Sequence, residues 1–247
     1  MRVNWWHMII RVCIWAILLG GCRSVAGDDS AEDLLQQATQ FSQRGERAAA
    51  LSRLDEAIQK FPKTELAWYL RGRENFRAGK IKESLFDFDH YVKLLPKVES
   101  QQWERGISCY YAGEFKKGAK QFEDYQTFHN QDVENSAWRY LCVAKSEGVE
   151  KARANLLPIE SDRRVPMMEI YGLYQGKKTP EVVLAAARDD NQAQFYAHLY
   201  IGLWHEVAGH AAEAKTHILE AEKHKIAHYM WDVAHVHADR LRADEKK

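Results

Sequence analysis

The chain has 247 residues, of which 46% are hydrophobic and 28% are charged. A chain of this length and composition can bury a substantial core, which excludes an intrinsically disordered protein. Its 35 basic and 35 acidic residues give a formal net charge of +0. That balance argues against a nucleic-acid partner held by bulk electrostatic attraction.

Residues 1–21 have the pattern of an export signal. Arg2 and Arg11 make its start basic, and residues 12–19 form an apolar run that is too short to cross a bilayer of about 30 Å as a helix. Residues 19–22 (Leu-Gly-Gly-Cys) resemble the lipobox of bacterial lipoproteins. The resemblance implies cleavage before Cys22 and a diacylglyceryl group on its sulfur. An ordinary signal peptide that contains a cysteine is the alternative.

Residues 22–29 are interpreted as a short tether. Arg23 stands after the cysteine, where an aspartate would resemble an inner-membrane retention signal. We therefore expect a lipid-anchored protein of the cell envelope, on the outer membrane and facing the periplasm. Ser30, with Asp33 three residues later, predicts the capped start of the first helix.

Residues 30–132 contain three copies of one unit with a period of about 34 residues, typical of a helix–turn–helix repeat. Small residues on the first helix allow the second helix to approach closely, and glycines at the turn adopt the left-handed conformation that ends a helix. Prolines then end the second helix. The recurring positions are Ala38, Gly72 and Gly106; Gly45, Gly79 and Gly113; Leu54, Phe88 and Phe122; Tyr91 and Tyr125; and Pro62 and Pro96.

These positions resemble the tetratricopeptide repeat (TPR) family. Trp68 with Gly72 matches the family signature in the second unit, whereas Arg71 and Asn75 stand where Leu and Tyr are usual. The resemblance implies an all-α, TPR-type helix–turn–helix solenoid. Residues 133–190 are interpreted as degenerate helical repeats, and residues 191–247 as a final unit around Gly202 and Gly209, followed by a capping helix at about residues 227–242. A capping helix is expected to cover the exposed end of the last repeat.

The family frame also predicts a partner-binding groove on the first helices of the second and third units. Aromatic and arginine side chains, which are enriched at interface hot spots, occupy it. For each aromatic the alternative is a place in the core between repeats. The predicted groove residues are Tyr69, Arg73, Phe76, Arg77, Trp103, Ile107 and Tyr110.

The string at residues 205–210 (His-Glu-Val-Ala-Gly-His) resembles the zinc motif of the dipeptidyl peptidase III family, in which two histidines bind the metal and the glutamate activates water. Here Gly209 falls at the turn of a repeat, so His205 ends one helix and His210 opens the next. A zinc-dependent hydrolase that uses these two histidines is therefore only an alternative interpretation, and no metal or cofactor is expected. His210, His217 and His224, spaced by seven, could form a surface metal or pH-sensitive site; solvated or capping histidines are the ordinary alternative.

The remaining motifs do not indicate catalysis. Cys109 and Cys142 lie at similar offsets in adjacent repeats, so a disulfide is permitted after export, and buried free thiols are the expected state. The arrangement of lipobox, repeats, irregular middle and late repeat resembles TPR lipoproteins that dock peptidoglycan hydrolases and proteases. The resemblance implies a non-enzymatic scaffold or adaptor for envelope proteins, with homodimers frequent among such relatives.

Overall fold

The computed structural model describes residues 29–244, so Cys22 and the export signal lie outside the described residues. Within Ala31–Lys247, which forms one compact unit, the described residues form thirteen α-helices and one 3₁₀ helix, and no strand. The α-helices are α1 (Ala31–Gln43), α2 (Arg47–Lys60), α3 (Glu65–Arg77), α4 (Ile81–Leu94), α5 (Trp103–Ala112), α6 (Phe115–Phe128), α7 (Val133–Glu147), α8 (Val149–Ala154), α9 (Met167–Tyr174), α10 (Pro180–Ala187), α11 (Asn191–Val207), α12 (Ala211–Lys223) and α13 (Tyr229–Asp244). The 3₁₀ helix spans Pro96–Gln101. None of these helices is both long and apolar enough to span a bilayer.

The turn between the two helices of a unit has the same geometry each time. Gly45, Gly79, Gly113 and Gly209 have φ values of 76°, 71°, 81° and 85°. In each turn the amide of the next residue donates to a carbonyl five residues earlier, as from Glu46 to Phe41 at 2.9 Å. This is the hydrogen-bond pattern of a Schellman helix end. The predicted bends at these glycines are therefore confirmed.

Close contact between the paired helices explains the small residues. A Cβ added at Gly106 would lie 2.6 Å from Cζ of Phe122, which is too close for any real contact. The same addition at Gly72 would meet the Phe88 ring at 3.2 Å. The glycine on the first helix thus makes room for a large buried side chain on the second.

A Gly106→Ala variant is expected to lose about 1–3 kcal/mol of unfolding free energy, because the new methyl group overpacks the core against the ring of Phe122. Urea unfolding followed by circular dichroism measures the loss. Adding Phe122→Leu should restore part of it, since Leu54 and Ile218 are buried at the equivalent positions of other units. Equal stability of Gly106→Ala and the parent protein would contradict the packing described.

Three arginines, spaced by 34 residues, connect successive units. Each lies on a first helix and bonds to side chains or a carbonyl 16 residues away in both directions, that is, to the second helices on either side of it. The sequence interpretation does not predict this ladder of arginines, since it treats Arg71 only as a departure from the TPR signature. The bonds join Arg71 to Asp55 and Asp87, Arg105 to Asp89 and Gln121, and Arg139 to Glu123 and the carbonyl of Asn155.

The middle of the chain departs from this regular pattern. Gly148 lies one residue beyond the position that repeats Gly113, and its φ of 93° and ψ of 156° are not those of the left-handed turn. The second helix that follows it, α8, has only six residues. Arg164 then holds the loop before α9 through ion pairs of 2.6–2.7 Å to Asp132, Glu134 and Asp162.

The last helix takes a course that the sequence did not predict. It packs against α12, as a capping helix does, but it also contacts α3 in the second unit. Arg77 on α3 and Asp232 on α13, which are 155 residues apart, form an ion pair of 2.8 Å. The C-terminal helix therefore crosses to the first helices of early units instead of only covering the end of the last one.

Candidate functional site: the first-helix face and its own helix

We define the first-helix face as the side of α3 and α5 that carries the seven predicted groove residues. Helix α13 lies against it. On the α3 side, Tyr229 of α13 packs its ring 5.6 Å from the ring of Phe76 and beneath the guanidinium of Arg73, at 4.8 Å. The Arg77 to Asp232 ion pair lies beside this contact. An apolar ring and a charge pair therefore fix α13 to α3.

A second set of contacts joins α13 to α5 and α11. The hydroxyl of Tyr111 lies 2.9 Å from Nδ1 of His237, and Arg240 donates to the carbonyl of Tyr111 at 3.2 Å. On the other side of the imidazole, Nε2 of His237 is 3.4 Å from Oε2 of Glu206. His237 thus links the third unit to the last.

Trp103 lies at the edge of the first-helix face and contacts residues at the start of α13. Its ring stacks on His228 at 6.2 Å and meets Tyr229 edge-on at 5.6 Å. Tyr229 itself is 3% exposed, so its ring is buried in this contact, whereas Trp103 is half-buried and His228 is exposed. Aromatic residues that were predicted to bind a partner therefore contact a helix of the chain itself.

The seven predicted groove residues therefore divide into two groups. Phe76, Ile107 and Tyr110 are buried in the core, at 0%, 0% and 5% exposure. The other four, Tyr69, Arg73, Arg77 and Trp103, are half-buried. The structure thus places all seven on one side of α3 and α5, and α13 covers the part formed by Arg73, Phe76, Arg77 and Trp103. Binding of an outside partner there stays a prediction.

Several polar groups are buried beside Tyr229. The hydroxyl of Tyr69 donates to the Glu104 carboxylate at 2.8 Å, and burial raises the pKa of Glu104 while the nearby Arg73 opposes that shift. Nε of Arg73 and the hydroxyl of Tyr229 are buried without a hydrogen-bond partner. Burying such groups unpaired costs free energy, about 1–3 kcal/mol each. Packing therefore holds α13 on this face, although two buried polar groups beneath it lack a hydrogen-bond partner.

Solved structures of MamA resemble this arrangement of helices. "MamA 41-end from Desulfovibrio magneticus RS-1" and "MamA RS-1 ArsTM double mutant" are each 15% identical to the chain, with a TM-score of 0.50, and cover 81% of it and 96% of their own length. YrrB, described as a TPR protein with an unusual peptide-binding site, is 16% identical over 86% of this chain and 93% of its own, with a TM-score of 0.47. No protein-family model matches the sequence, and no curated protein does.

The repeated glycine turns and close helix pairs, together with the MamA likeness, decide the fold. The chain has a TPR-type solenoid fold. At 15% identity the likeness extends to the fold alone. In this TPR-type solenoid α13 returns onto the first-helix face.

The zinc-hydrolase alternative fails on the position of its glutamate. The structure does bring His205 and His210 together, with their Nδ1 atoms 3.2 Å apart across the Gly209 turn. Glu206, however, forms an ion pair of 2.8 Å with Lys145 and faces His237 under α13. A glutamate that pairs with a lysine of α7 on the α13 side is not placed to activate water between the two histidines.

Cys109 and Cys142 are free thiols in the core of the solenoid. Both lie around Gly118, where an added Cβ would be 2.8 Å from Sγ of Cys142 and 3.2 Å from Cβ of Cys109. Burial raises the pKa of the Cys109 thiol to about 11, which keeps it protonated at neutral pH. The expectation of buried free thiols is confirmed.

Acid is expected to loosen the contact of α13 through His237. Burial lowers the pKa of this imidazole, with Arg240 and Lys145 acting in the same direction and Glu206 opposing. Because the pKa of His237 is lower in the folded protein, the unfolded chain binds a proton more readily than the folded one. The unfolding free energy therefore decreases as pH falls below the unfolded pKa of about 6.5. Unfolding free energies measured at pH 7 and pH 5 should differ less for His237→Gln than for the parent protein. Contributions of other titrating groups are common to both proteins and cancel in this comparison, so equal differences would contradict the assignment.

Proposed function

We propose that the protein is a lipid-anchored scaffold of the cell envelope that binds a helical segment of another envelope protein on its first-helix face. One observation carries the proposal: this face already holds a helix, α13, through an aromatic anchor and an ion pair. Aromatic and arginine side chains in a desolvated patch are the usual anchors of a protein interface. A face that binds a helix of its own chain has the chemistry to bind an external helix of similar pattern.

The contacts of α13 define what a partner helix needs. It presents an aromatic residue that fits between Arg73 and Phe76, as Tyr229 does, and an acidic residue three positions later that reaches Arg77, as Asp232 does. Residues three apart lie on the same side of a helix. In this mechanism the partner helix competes with α13 for the first-helix face. A partner therefore binds only if its binding free energy exceeds the free energy that holds α13 there.

The envelope location rests on the sequence before the described residues. The lipobox-like residues 19–22 support lipid attachment at Cys22, and Arg23 after it supports the outer membrane facing the periplasm. The proposed partners are of the class that TPR lipoproteins with a similar arrangement bind, namely peptidoglycan hydrolases or proteases. A homodimer is compatible with this function. Labelling with radioactive palmitate tests the anchor: it is expected in the parent protein and absent in Cys22→Ala, and a Cys22→Ala protein that stays membrane-bound would contradict it.

Site-specific photocrosslinking in intact envelopes tests the binding face. A photoreactive residue in place of Trp103 should capture a defined partner, identified by mass spectrometry, and capture should increase when Asp232→Ala weakens the hold of α13. The same residue in place of Lys120, an exposed position on α6, is the matched control. Equal capture of the same protein from both positions, or capture unaffected by Asp232→Ala, would contradict the proposal.

A further inference from the structure

Five histidines form a row along the seam between α11 and α12, on helices that the proposed function does not use for binding. Two come from α11 and three from α12 and its two ends. Successive rings lie 5.9, 5.1, 5.8 and 5.4 Å apart between centroids. The row runs His224, His198, His217, His205 and His210.

Within the row, two pairs have facing ring nitrogens. Nδ1 of His198 lies 2.9 Å from Nδ1 of His217, and Nδ1 of His205 lies 3.2 Å from Nδ1 of His210. A metal ion bound to two imidazoles at about 2.0–2.1 Å holds their nitrogens about 2.9–3.4 Å apart, for bond angles of about 90–110°. Both pairs therefore already have the separation that a shared metal ion requires.

Rigid elements fix the two pairs. His198 and His205 lie about two turns apart on the same side of α11, the longest of the described helices. Their partners are held at the start and middle of α12 by the Gly209 turn, in which His210 donates its amide to the carbonyl of His205 at 3.0 Å. Sites built on packed helices keep their geometry better than sites on loops. The ligand pairs are thus presented without a chain rearrangement.

In the part of the chain that the structure describes, no third protein ligand lies within 4.8 Å of both histidines of either pair, so water would complete each coordination shell, and the nearby carboxylates contribute only their charge. Glu220 has Oε1 3.8 Å from Nε2 of His224, at one end of the row. Glu181 and Glu213 lie within electrostatic reach of His205. Two imidazoles with water suit copper, nickel and zinc ions better than magnesium or calcium.

Another cluster offers three ligands but is already occupied by a cation of the protein. Ligand atoms of Glu222, His235 and Asp239 all lie within 4.8 Å of one another. Arg242 forms ion pairs with both carboxylates, and His235 lies 2.6 Å from Glu222. A metal ion would have to displace the guanidinium, so this cluster is the weaker candidate.

We propose that the His198–His217 and His205–His210 pairs are two adjacent binding sites for a divalent transition-metal ion of the copper, nickel and zinc group. In the empty protein one imidazole of each pair donates its Nδ1 hydrogen to the other. On binding, the donor ring changes to its Nε2–H tautomer, so that both Nδ1 lone pairs bind the metal and no net proton is released. Glu206 faces α13 and Lys145 and is not placed to act as a base at either site.

Titration with Cu²⁺ tests the proposal on the full chain, purified in detergent through a tag without histidine. Electron paramagnetic resonance should show imidazole nitrogen coupling, and calorimetry with Ni²⁺ should give two sites. His198→Ala and His205→Ala should each lower the affinity of one site by about tenfold or more. His129→Ala, which removes a histidine outside the row, is the matched control and should bind as the parent protein does.

Protection of the histidines from chemical modification is a second test, and it uses the parent protein alone. Carbethoxylation of the four paired histidines by diethyl pyrocarbonate should slow when Zn²⁺ is present, and that of His129 should not. Unchanged affinity in both alanine variants, or equal protection of His129, would overturn the proposal. Binding of a single ion that is lost in only one variant would retain that pair as a site and overturn the other.

Discussion

Arg71→Ala is expected to lower the unfolding free energy by about 3–5 kcal/mol, the cost of removing one partner of a buried ion pair. Asp87, which Arg71 binds through Nη2 at 2.7 Å, has a side chain that is 1% exposed. Without the arginine its carboxylate keeps only Asn75, which donates at 2.8 Å. A nearly buried charge is then left without a counter-ion, and urea unfolding measures the result.

The ladder itself supplies the matched controls. Arg105 and Arg139 hold the same position in the repeat, but their acidic partners Asp89 and Glu123 are 37% and 42% exposed and remain solvated when the arginine is removed. Arg139→Ala should therefore cost much less, about 1 kcal/mol as for exposed ion pairs. Arg105→Ala also leaves the side-chain oxygen of the buried Gln121 without its donor and should have an intermediate cost. Similar losses in all three variants would contradict the role given to burial of Asp87.

The loss in Arg71→Ala should also depend on pH. Burial raises the pKa of Asp87 even with Arg71 present, and removing the arginine raises it further. A protonated carboxyl needs no counter-ion, so the gap between variant and parent protein should narrow as pH falls from 7 toward 4. A gap that stays constant with pH would indicate lost packing of the arginine stem, not an unpaired charge.

Tyr229→Ala is the second large prediction, with an expected loss of about 3–5 kcal/mol for truncation of a buried aromatic side chain. Its ring contacts Phe76, Trp103 and the guanidinium of Arg73. Because these contacts fix α13 to the first-helix face, the loss should appear as detachment of α13 before the solenoid unfolds. Hydrogen exchange of the α13 amides should accelerate in the variant, while that of α5 changes less.

Tyr229→Phe separates the ring from its hydroxyl. The hydroxyl is buried without a hydrogen-bond partner, so its removal should leave stability unchanged or slightly higher. In the proposed mechanism Tyr229→Ala also exposes the binding face and should increase crosslinking of the partner through position 103. If Tyr229→Phe is as damaging as Tyr229→Ala, the ring packing described here is wrong.

The sequence predicted the parts of this fold that depend on local geometry. A left-handed glycine turn needs only Gly at one position, so the bends at Gly45, Gly79 and Gly113 followed from spacing. The close approach of the paired helices at Gly106 followed from the same period, since small residues recur there as Ala38 and Gly72, whereas its contact with Phe122 was not predicted. These features are repeated along the chain, and repetition is visible without coordinates.

The arginine ladder was visible in the same period but was not recognised. Arg71, Arg105 and Arg139 recur every 34 residues, but the family signature has a different usual residue, Leu, at the position of Arg71. Their partners lie in both neighbouring units, so the function of each arginine appears only when the units are stacked. The recurrence itself was the signal that could have identified them.

The return of α13 and the pairing of histidines could not be predicted from spacing. The contact of Arg77 with Asp232 joins residues 155 positions apart, and a separation of that size has no repeat spacing that could reveal it. The sequence showed His210, His217 and His224 on one line of α12. It did not show that His198 and His205 of α11 come between them, because that depends on how two helices pack.

A double-mutant cycle between Arg77 and Asp232 tests most directly whether the first-helix face of this solenoid is filled by its own C-terminal helix. Unfolding free energies of Arg77→Ala, Asp232→Ala and the double variant give the coupling energy between the two side chains. The structure predicts a coupling of about 1 kcal/mol or more, since residues in contact couple by about 0.5–3 kcal/mol. Effects that add to within about 0.3–0.5 kcal/mol, as for distant sites, would show that α13 does not lie on this face.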